Sequence, residues 1–364
     1  MPTASRKRVV VGMSGGVDSS VAAALLQEQG WDVIGANLRL WRGQRCSGTP
    51  GPPGEESAAA NARAACQALG IPFFEIDEQE EFGRQVVDCF VSEYRHGRTP
   101  NPCVLCNERV KVGRLLAHAE QWDAQYVATG HYARIEIAPD GGRASLKRGV
   151  DPQKDQSYFL FSLRQEQLVR CLTPLGHWSK SEVRREAARR GLPTASRAAS
   201  MDICFVPGGD YRRFLTEEAG VEGIPGDMVD REERVLGRHR GIEFYTIGQR
   251  RGLGVPAAHR WYVVGLDPEQ NRVVLGRAEE LYRSEFVIER CNWIAFDAPP
   301  VRLDATARIR SQHAGTPATV TAVGEGRAQV RLHVPQRAVT PGQAAVFYQG
   351  DAVLGGGWIV SERG

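Results

Sequence analysis

Arg8-Val9-Val10-Val11-Gly12-Met13-Ser14-Gly15-Gly16-Val17-Asp18-Ser19-Ser20 is the stretch that decides the fold. A short β-branched run, Arg8 to Met13, leads into a turn of glycine and serine, and an apolar helical stretch from Val21 to Gln29 follows. Strand, glycine turn and helix in that order aim free N–H groups and the positive end of a helix dipole at a loop a ligand can approach closely. Phosphate or pyrophosphate suits that geometry. The loop has no Gly-Lys-Ser/Thr, so γ-phosphate transfer is not its natural task. Asp18 is not there to attract phosphate. A carboxylate at that point makes sense if it holds Mg²⁺ or shapes the loop.

Outward from this loop the pattern alternates. Asp32 to Leu40 predicts a strand, Ser57 to Leu69 a helix stopped by Gly70, Phe73 to Ile76 a strand, Glu80 to Tyr94 a helix and Tyr126 to Gly130 a strand. That alternation predicts an α/β fold, a mostly parallel sheet covered by helices, with a ligand at the carboxyl ends of its strands. A further helix is expected from Lys180 to about Arg190, because Ser179 and Glu182 have capping-box spacing. After about Gly208 the runs shorten. From Arg283 onward, Thr306 to Arg310, Ala318 to Val323, Ala328 to Val334 and Ala344 to Tyr348 read as the strands of a small barrel or sandwich. The expected domains are 1–207, 208–280 and 281–364. Residues 42–56, with Gly-Thr-Pro-Gly-Pro-Pro-Gly inside them, are expected to form a flexible loop.

Composition narrows the function classes. The chain has 364 residues, 42% hydrophobic and 24% charged, which excludes disordered and fibrous proteins. No apolar run approaches the roughly 18 residues of a membrane span, and Met1 to Arg8 opens no signal peptide, so no membrane association and a cytoplasmic location are expected. The net charge of +3 does not decide for or against a nucleic-acid partner. Of 46 basic residues only 5 are lysine; most of the arginine is compositional bias, although its planar fork also suits phosphate.

The 8 cysteines of a large chain without a signal peptide are more naturally thiols, metal ligands or catalysts than a disulfide framework. Cys103 and Cys106 lie in Thr99-Pro100-Asn101-Pro102-Cys103-Val104-Leu105-Cys106-Asn107, where two prolines are expected to end one helix and fix an exposed turn. Cys106 would then sit near the start of the helix running towards His118, and a helix N-terminus favours thiolate, as would Arg109 and Lys111. Half of a zinc site is the competing reading, weakened because no second pair has zinc spacing. Cys204 lies in Ser200-Met201-Asp202-Ile203-Cys204-Phe205-Val206-Pro207, a setting that by itself suggests a buried core cysteine. Asp202 reads as a surface carboxylate before it reads as an acid or base.

The glycine loop resembles that of the PP-loop pyrophosphatases, which adenylate an oxygen of their substrate with ATP and release pyrophosphate. Together with the two cysteine stretches, with Ala128 to Tyr132, Asp151 to Leu160, Thr246 to Gly254 and Thr340 to Tyr348, the chain resembles the tRNA-uridine 2-sulfurtransferases along nearly its whole length. The resemblance implies a PP-loop catalytic domain, a small central tRNA-binding domain and a C-terminal β-barrel. It implies ATP binding by Gly12, Met13, Ser14, Gly15, Gly16, Val17, Asp18 and Ser19, with Leu38 and Gly130 lining the adenine and ribose site. Cys106 matches the family's first catalytic cysteine and Cys204 the cysteine that carries a persulfide. Asn101, Pro102 and Cys103 would lie beside the target base, and Lys154, Asp155, Gln156, Arg310 and Ser311 would touch tRNA.

The implied reaction adenylates the C2 oxygen of the wobble uridine in the anticodon loop, with Mg²⁺ on the phosphates. Sulfur from an upstream donor protein then enters and AMP leaves. An alternative sulfur route has Cys103, Cys106 and Cys204 holding an iron–sulfur cluster with one open iron. The rival functions are an amide-forming PP-loop synthetase, which needs no cysteine, a non-catalytic tRNA-binding protein, and a zinc-stabilised structural protein.

Overall fold

A computed structural model describes residues 7–41, 58–138, 142–197, 203–256, 259–324 and 326–360. The loop expected at 42–56, Cys46, and Ser200, Met201 and Asp202 lie outside the described residues. The chain forms two compact units. The first comprises residues 1–86, 103–205 and 350–353, and the second residues 87–102, 206–349 and 354–364.

In the first unit five strands form one sheet in the order Phe73–Asp77, Asp32–Arg39, Arg8–Gly12, Tyr126–Ala128, Cys171–Leu172, every neighbouring pair parallel. Val9, Val10 and Val11 of the first strand are fully buried, each worth about 1.5–3 kcal/mol relative to exposure. Val9 and Val11 pack with Met13, Ala23, Leu26, Val33, Ala62 and Cys66 on one face of the sheet. The chain leaves the Arg8–Gly12 strand towards one side of the sheet and reaches Tyr126–Ala128 on the other. The strand order therefore reverses between them, and the crevice at their carboxyl ends is where such sheets bind ligands.

The first helix is Val17–Glu28, four residues longer at its start than the apolar pattern suggested. The polar residues that read as turn are accommodated in it. Ser19 and Ser20 hydroxyls donate back to the Gly16 carbonyl at 3.2 and 3.0 Å, and Asp18 sits in the first turn, where the dipole favours an acid. The helix Lys180–Arg189 carries the capping box its sequence announces: Ser179 Oγ accepts from the Glu182 N–H at 3.3 Å, and Glu182 Oε2 accepts from the Ser179 N–H at 2.7 Å.

Two helices differ from expectation. The run expected from Glu80 to Tyr94 is Gln79–Phe82, a π-helical turn Gly83–Val87, and Asp88–Arg95. The cysteine helix begins at Pro102 and passes from Pro102–Leu105 through a π-helix, Cys106–Val112, into Gly113–Glu120. Cys106 is therefore not at a helix N-terminus. The expected exposed turn at Pro100–Pro102 is also buried. In the second unit Thr99 donates its N–H to Pro341 at 2.8 Å, and the Gln343 amide donates to the carbonyls of Thr99 and Pro100 at 3.0 and 3.3 Å.

Apart from the short helical stretch at residues 211–218 and single helical turns, the rest of the second unit is mainly β. Tyr262–Asp267, Arg272–Gly276, Gly226–Val229 and Val235–His239 form one sheet. Six strands close a barrel in the order Tyr282–Asn292, Arg327–Arg337, Thr316–Gly324, Arg302–Arg308, Ala344–Gln349, Ala352–Ile359, and Ile288 pairs with Ile359 to shut it. Phe286, Ile288, Ala307, Val320, Val330 and Phe347 are among the side chains that fill it. No described helix is long and apolar enough to cross a membrane.

Candidate active site

The phosphate loop is built from the backbone outward. Met13 donates its N–H to Ala36 at 2.7 Å, and buried Asn37 donates its amide to the Met13 carbonyl at 2.6 Å. Gly15 has φ +75°, and a Cβ there would lie 2.2 Å from the Ala58 carbonyl oxygen, so only glycine fits. Ser14 and Ser19 meet at 3.3 Å between hydroxyls, and Ser19 Oγ accepts the Ser14 N–H at 3.2 Å. The helix N-cap is Gly16, with no side-chain cap, which leaves the first-turn N–H groups to an incoming anion. Gly130 packs directly on this turn. A Cβ on it would stand 2.9 Å from the Asp18 carbonyl carbon and the Ser19 nitrogen. Leu38 lies on the neighbouring strand Asp32–Arg39. Gly12 to Ser19, Leu38 and Gly130 thus share the carboxyl end of one sheet.

Asp18 does more than shape the loop. Its Oδ1 accepts from the Tyr132 phenol at 2.6 Å, and Lys180 Nζ bonds both carboxylate oxygens at 2.6 and 2.7 Å. Burial, and then the Asp18 bond, raise the Tyr132 phenol well above its ordinary range, so it stays a donor. Sequence reading missed both partners. Lys180 read only as the first residue of a capped helix, although a lone lysine among arginines was a usable signal.

The three cysteines Cys103, Cys106 and Cys204 share one charge. Each thiol is raised by desolvation, Cys106 to about 12, and each is pulled down by the ammonium of Lys111. Burial works against the charge of Lys111, but Cys106, Cys103 and Cys204 more than offset it, so its ammonium is held above the ordinary value. The expected activation of Cys106 by a helix N-terminus is corrected here: Cys106 is buried and protonated, and its cationic neighbour is Lys111. Residues 106 and 111 stand about 140° apart around an α-helix, whereas the i→i+5 bonding of a π-helix brings residues five apart near one another. Cys204, which its apolar neighbours suggested would be buried, is exposed. The protein around it still desolvates the thiol enough to raise it.

His131 feels the same ammonium as the thiols. It follows Gly130, its Nδ1 is 2.8 Å from the Thr129 hydroxyl, and desolvation followed by the Lys111 charge lowers it to about 3. The imidazole is therefore neutral across the physiological range. One ammonium acts on the histidine beside the phosphate loop and on all three thiols.

Among the expected RNA contacts, Lys154 and Arg310 are exposed. Asp155 and Gln156 are occupied internally: Asp155 Oδ1 accepts from Gly149 and Ser157 N–H groups at 3.2 and 3.0 Å, and Gln156 Oε1 accepts from Tyr132 N–H at 2.9 Å. In the barrel, buried Arg308 donates to the carbonyls of Ser311 and His313, which fixes the turn that carries Arg310 and Ser311. Asn101 and Pro102 are buried in the second unit. The neighbouring arginines Arg189 and Arg190 bond Glu186 and Glu28, and Arg213 bonds Glu217.

Three family models match the chain: a tRNA methyl transferase HUP domain over residues 7–208, a tRNA methyl transferase PRC-barrel domain over 212–277, and an aminomethyltransferase beta-barrel domain over 283–359. The chain is 50% identical over 363 residues to the tRNA-specific 2-thiouridylase MnmA of Geobacter metallireducens, covering 99% of this chain and 98% of that one. It is 49% identical over 352 residues to the protein of that name from Chloroflexus aggregans, covering 96% and 98%. For the one from Carboxydothermus hydrogenoformans the figures are 46% over 365 residues, 99% of each chain.

Proposed function

The chain belongs to the tRNA-specific 2-thiouridylase family, and from that premise we propose how its residues divide the reaction. It is a sulfurtransferase that 2-thiolates a uridine of tRNA at the expense of ATP. The observation that carries the assignment of roles is the single ammonium of Lys111, felt by Cys103, Cys106 and Cys204 and by the histidine that follows Gly130.

Residues 1–207 act as the catalytic domain, with 208–280 as the central and 281–364 as the barrel domain. ATP lies on Gly12 to Ser19 between Leu38 and Gly130. The C2 oxygen of the wobble uridine attacks the α-phosphorus and pyrophosphate leaves. The first-turn N–H groups and Lys180 meet the charge that gathers on the departing phosphates. Mg²⁺ enters as part of the nucleotide substrate, because Tyr132 and Lys180 already occupy the Asp18 carboxylate. Adenylation turns a poor leaving oxygen into AMP. The terminal sulfur of a Cys204 persulfide, loaded by a donor protein, attacks C2 and AMP departs. Cys106 then attacks the Cys204 sulfur, so that 2-thiouridine leaves and a Cys106–Cys204 disulfide remains for an external thiol to reduce. The exposure of Cys204 suits loading by a donor, and the burial of Cys106 protects the resolving thiol. The reaction takes place in the cytoplasm, on a base drawn out of the anticodon loop.

The iron–sulfur route fits the described residues less well. Among them no group of three Cys, His, Asp or Glu side chains is arranged to hold a metal. No step is therefore assigned to iron. Cys103→Ser is expected to keep substantial thiolation from a persulfide donor, in protein that contains no iron after anaerobic purification. Iron in the wild type, lost together with activity in Cys103→Ser, would restore the cluster.

Lys154→Ala and Arg310→Ala are each expected to weaken tRNA binding and to lower the slope of log K against log salt by about 1, with ATP affinity in the absence of tRNA little changed. Filter binding at several salt concentrations reads this. Loss of ATP binding with tRNA binding intact would remove both residues from the RNA surface.

A further inference from the structure

Tyr132 and Lys180 meet at one carboxylate, and both also anchor one loop. At one end of residues 151–156 the Lys180 N–H donates to Asp151 Oδ2 at 2.9 Å. At the other end Gln156 clasps the Tyr132 peptide from both sides: its Oε1 accepts the Tyr132 N–H at 2.9 Å, and its own N–H donates to the Tyr132 carbonyl at 2.9 Å. Between these ties the loop is closed on itself. Asp151 Oδ1 accepts from Gln153 N–H at 3.0 Å, and the Asp151 carbonyl from Lys154 N–H at 3.1 Å. Asp155 bonds the N–H groups of Gly149 and Ser157. A loop so bonded moves as a piece. Its apex, Pro152 to Lys154, is exposed, while Tyr132 is 3% exposed.

From this arrangement we infer that the 151–156 loop couples the docking of RNA at its apex to the setting of the phosphate loop, with Asp151 and Tyr132 as positioning residues between the two. The inference rests on the reading above that Lys154 meets RNA. A brace for the phosphate loop needs one tie. Here two ties, from opposite ends of one exposed loop, reach the same carboxylate through different residues. The element with two settings is the Asp18–Lys180 pair. In the free enzyme Lys180 is held on Asp18 by short, charge-assisted bonds, which depend steeply on distance and angle. When RNA draws the apex outward, Asp151 shifts the first turn of the Lys180–Arg189 helix and Gln156 shifts Tyr132. Both changes loosen the hold on Asp18 and turn the ammonium towards the phosphates of ATP. Linkage makes the effect reciprocal: whatever factor tRNA adds to nucleotide affinity, nucleotide adds to tRNA affinity.

The test is the affinity for a non-hydrolysable α,β-methylene ATP analogue, measured calorimetrically with and without saturating unmodified tRNA. It is made on full-length wild type, Asp151→Ala, Asp151→Asn and Tyr132→Phe. Because each ratio is taken within one variant, a uniform loss of folded protein cancels. In the wild type tRNA should tighten the analogue roughly tenfold, within the usual span of allosteric couplings. Asp151→Ala and Tyr132→Phe should bring the ratio close to one. Asp151→Asn, which keeps an acceptor oxygen, should retain most of it. A wild-type ratio in Asp151→Ala would overturn the relay. So would a wild type that binds both ligands with a ratio of one, which leaves the thiolation reading standing. A wild type that binds the analogue but no tRNA would overturn both.

Discussion

Cys204→Ser is expected to stop 2-thiouridine formation, with a loss of roughly a thousandfold or more, the scale seen when a covalent nucleophile is removed. Serine can occupy the exposed site of Cys204 but cannot carry a persulfide. Cys106→Ser should stop multiple turnover to a similar degree, because the thiol assigned to release the product from Cys204 is gone. The two variants differ in what accumulates. Cys106→Ser should retain sulfur in a covalent enzyme–tRNA species that dissolves on reduction, while Cys204→Ser should load no sulfur at all. Both should still bind ATP, since neither cysteine belongs to the loop from Gly12 to Ser19. Gel analysis with labelled sulfur separates these outcomes. Full activity in the double variant would point instead to an amide-forming synthetase.

The second large effect is expected at the Asp18–Lys180 pair. Lys180→Met removes the cation paired with Asp18 and leaves that carboxylate, still bonded by Tyr132, facing the triphosphate. Pyrophosphate release in the presence of tRNA should fall roughly 100- to 1,000-fold, the usual result of losing one preorganised donor at developing negative charge. Asp18→Asn and Ser14→Ala should abolish release as well, because both disturb the loop itself. All three variants should keep their tRNA affinity. The side chain of Lys180 is only 13% exposed, so its removal also disturbs local packing; Lys180→Arg, which keeps the charge, should recover part of the rate. Wild-type pyrophosphate release in Lys180→Met would take the lysine out of the mechanism.

The first unit was largely legible in the sequence because its signals are local. A β-branched run, two glycines and a capping box each fix a few residues without help from the rest of the chain. Five features were not legible, and the first two depend on distant partners. Asn37, which holds the Met13 carbonyl, is an ordinary strand residue until the parallel register sets it beside the loop. Lys180 and Tyr132 converge on Asp18 across more than a hundred residues. The π-helix Cys106–Val112 leaves no trace in a pattern read at 3.6 residues per turn. In the barrel, Ala352–Ile359 contains Gly355, Gly356 and Gly357 and so reads as a turn, although nearly all of it is buried as a strand. The barrel strand Tyr282–Asn292 was also missed, because its outward charges obscure an alternation of only a few buried residues.

Burial reversed one inference drawn from chemistry alone. A cysteine just after two prolines suggested a thiolate at a helix N-terminus, but the helix begins at Pro102 and the desolvated Cys106 thiol is pushed up to about 12. Lys111 pulls against that desolvation without overcoming it, so the free enzyme holds Cys106 as a thiol.

The most direct measurement of the central claim is nucleoside mass spectrometry of unmodified tRNA incubated with the enzyme, ATP, Mg²⁺ and a persulfide donor, with Cys204→Ser run beside the wild type. The account predicts that wild type converts the wobble uridine to 2-thiouridine, with one pyrophosphate and one AMP released per sulfur, and that Cys204→Ser leaves uridine unchanged. Unchanged uridine with the wild type, or equal thiolation by Cys204→Ser, would contradict it.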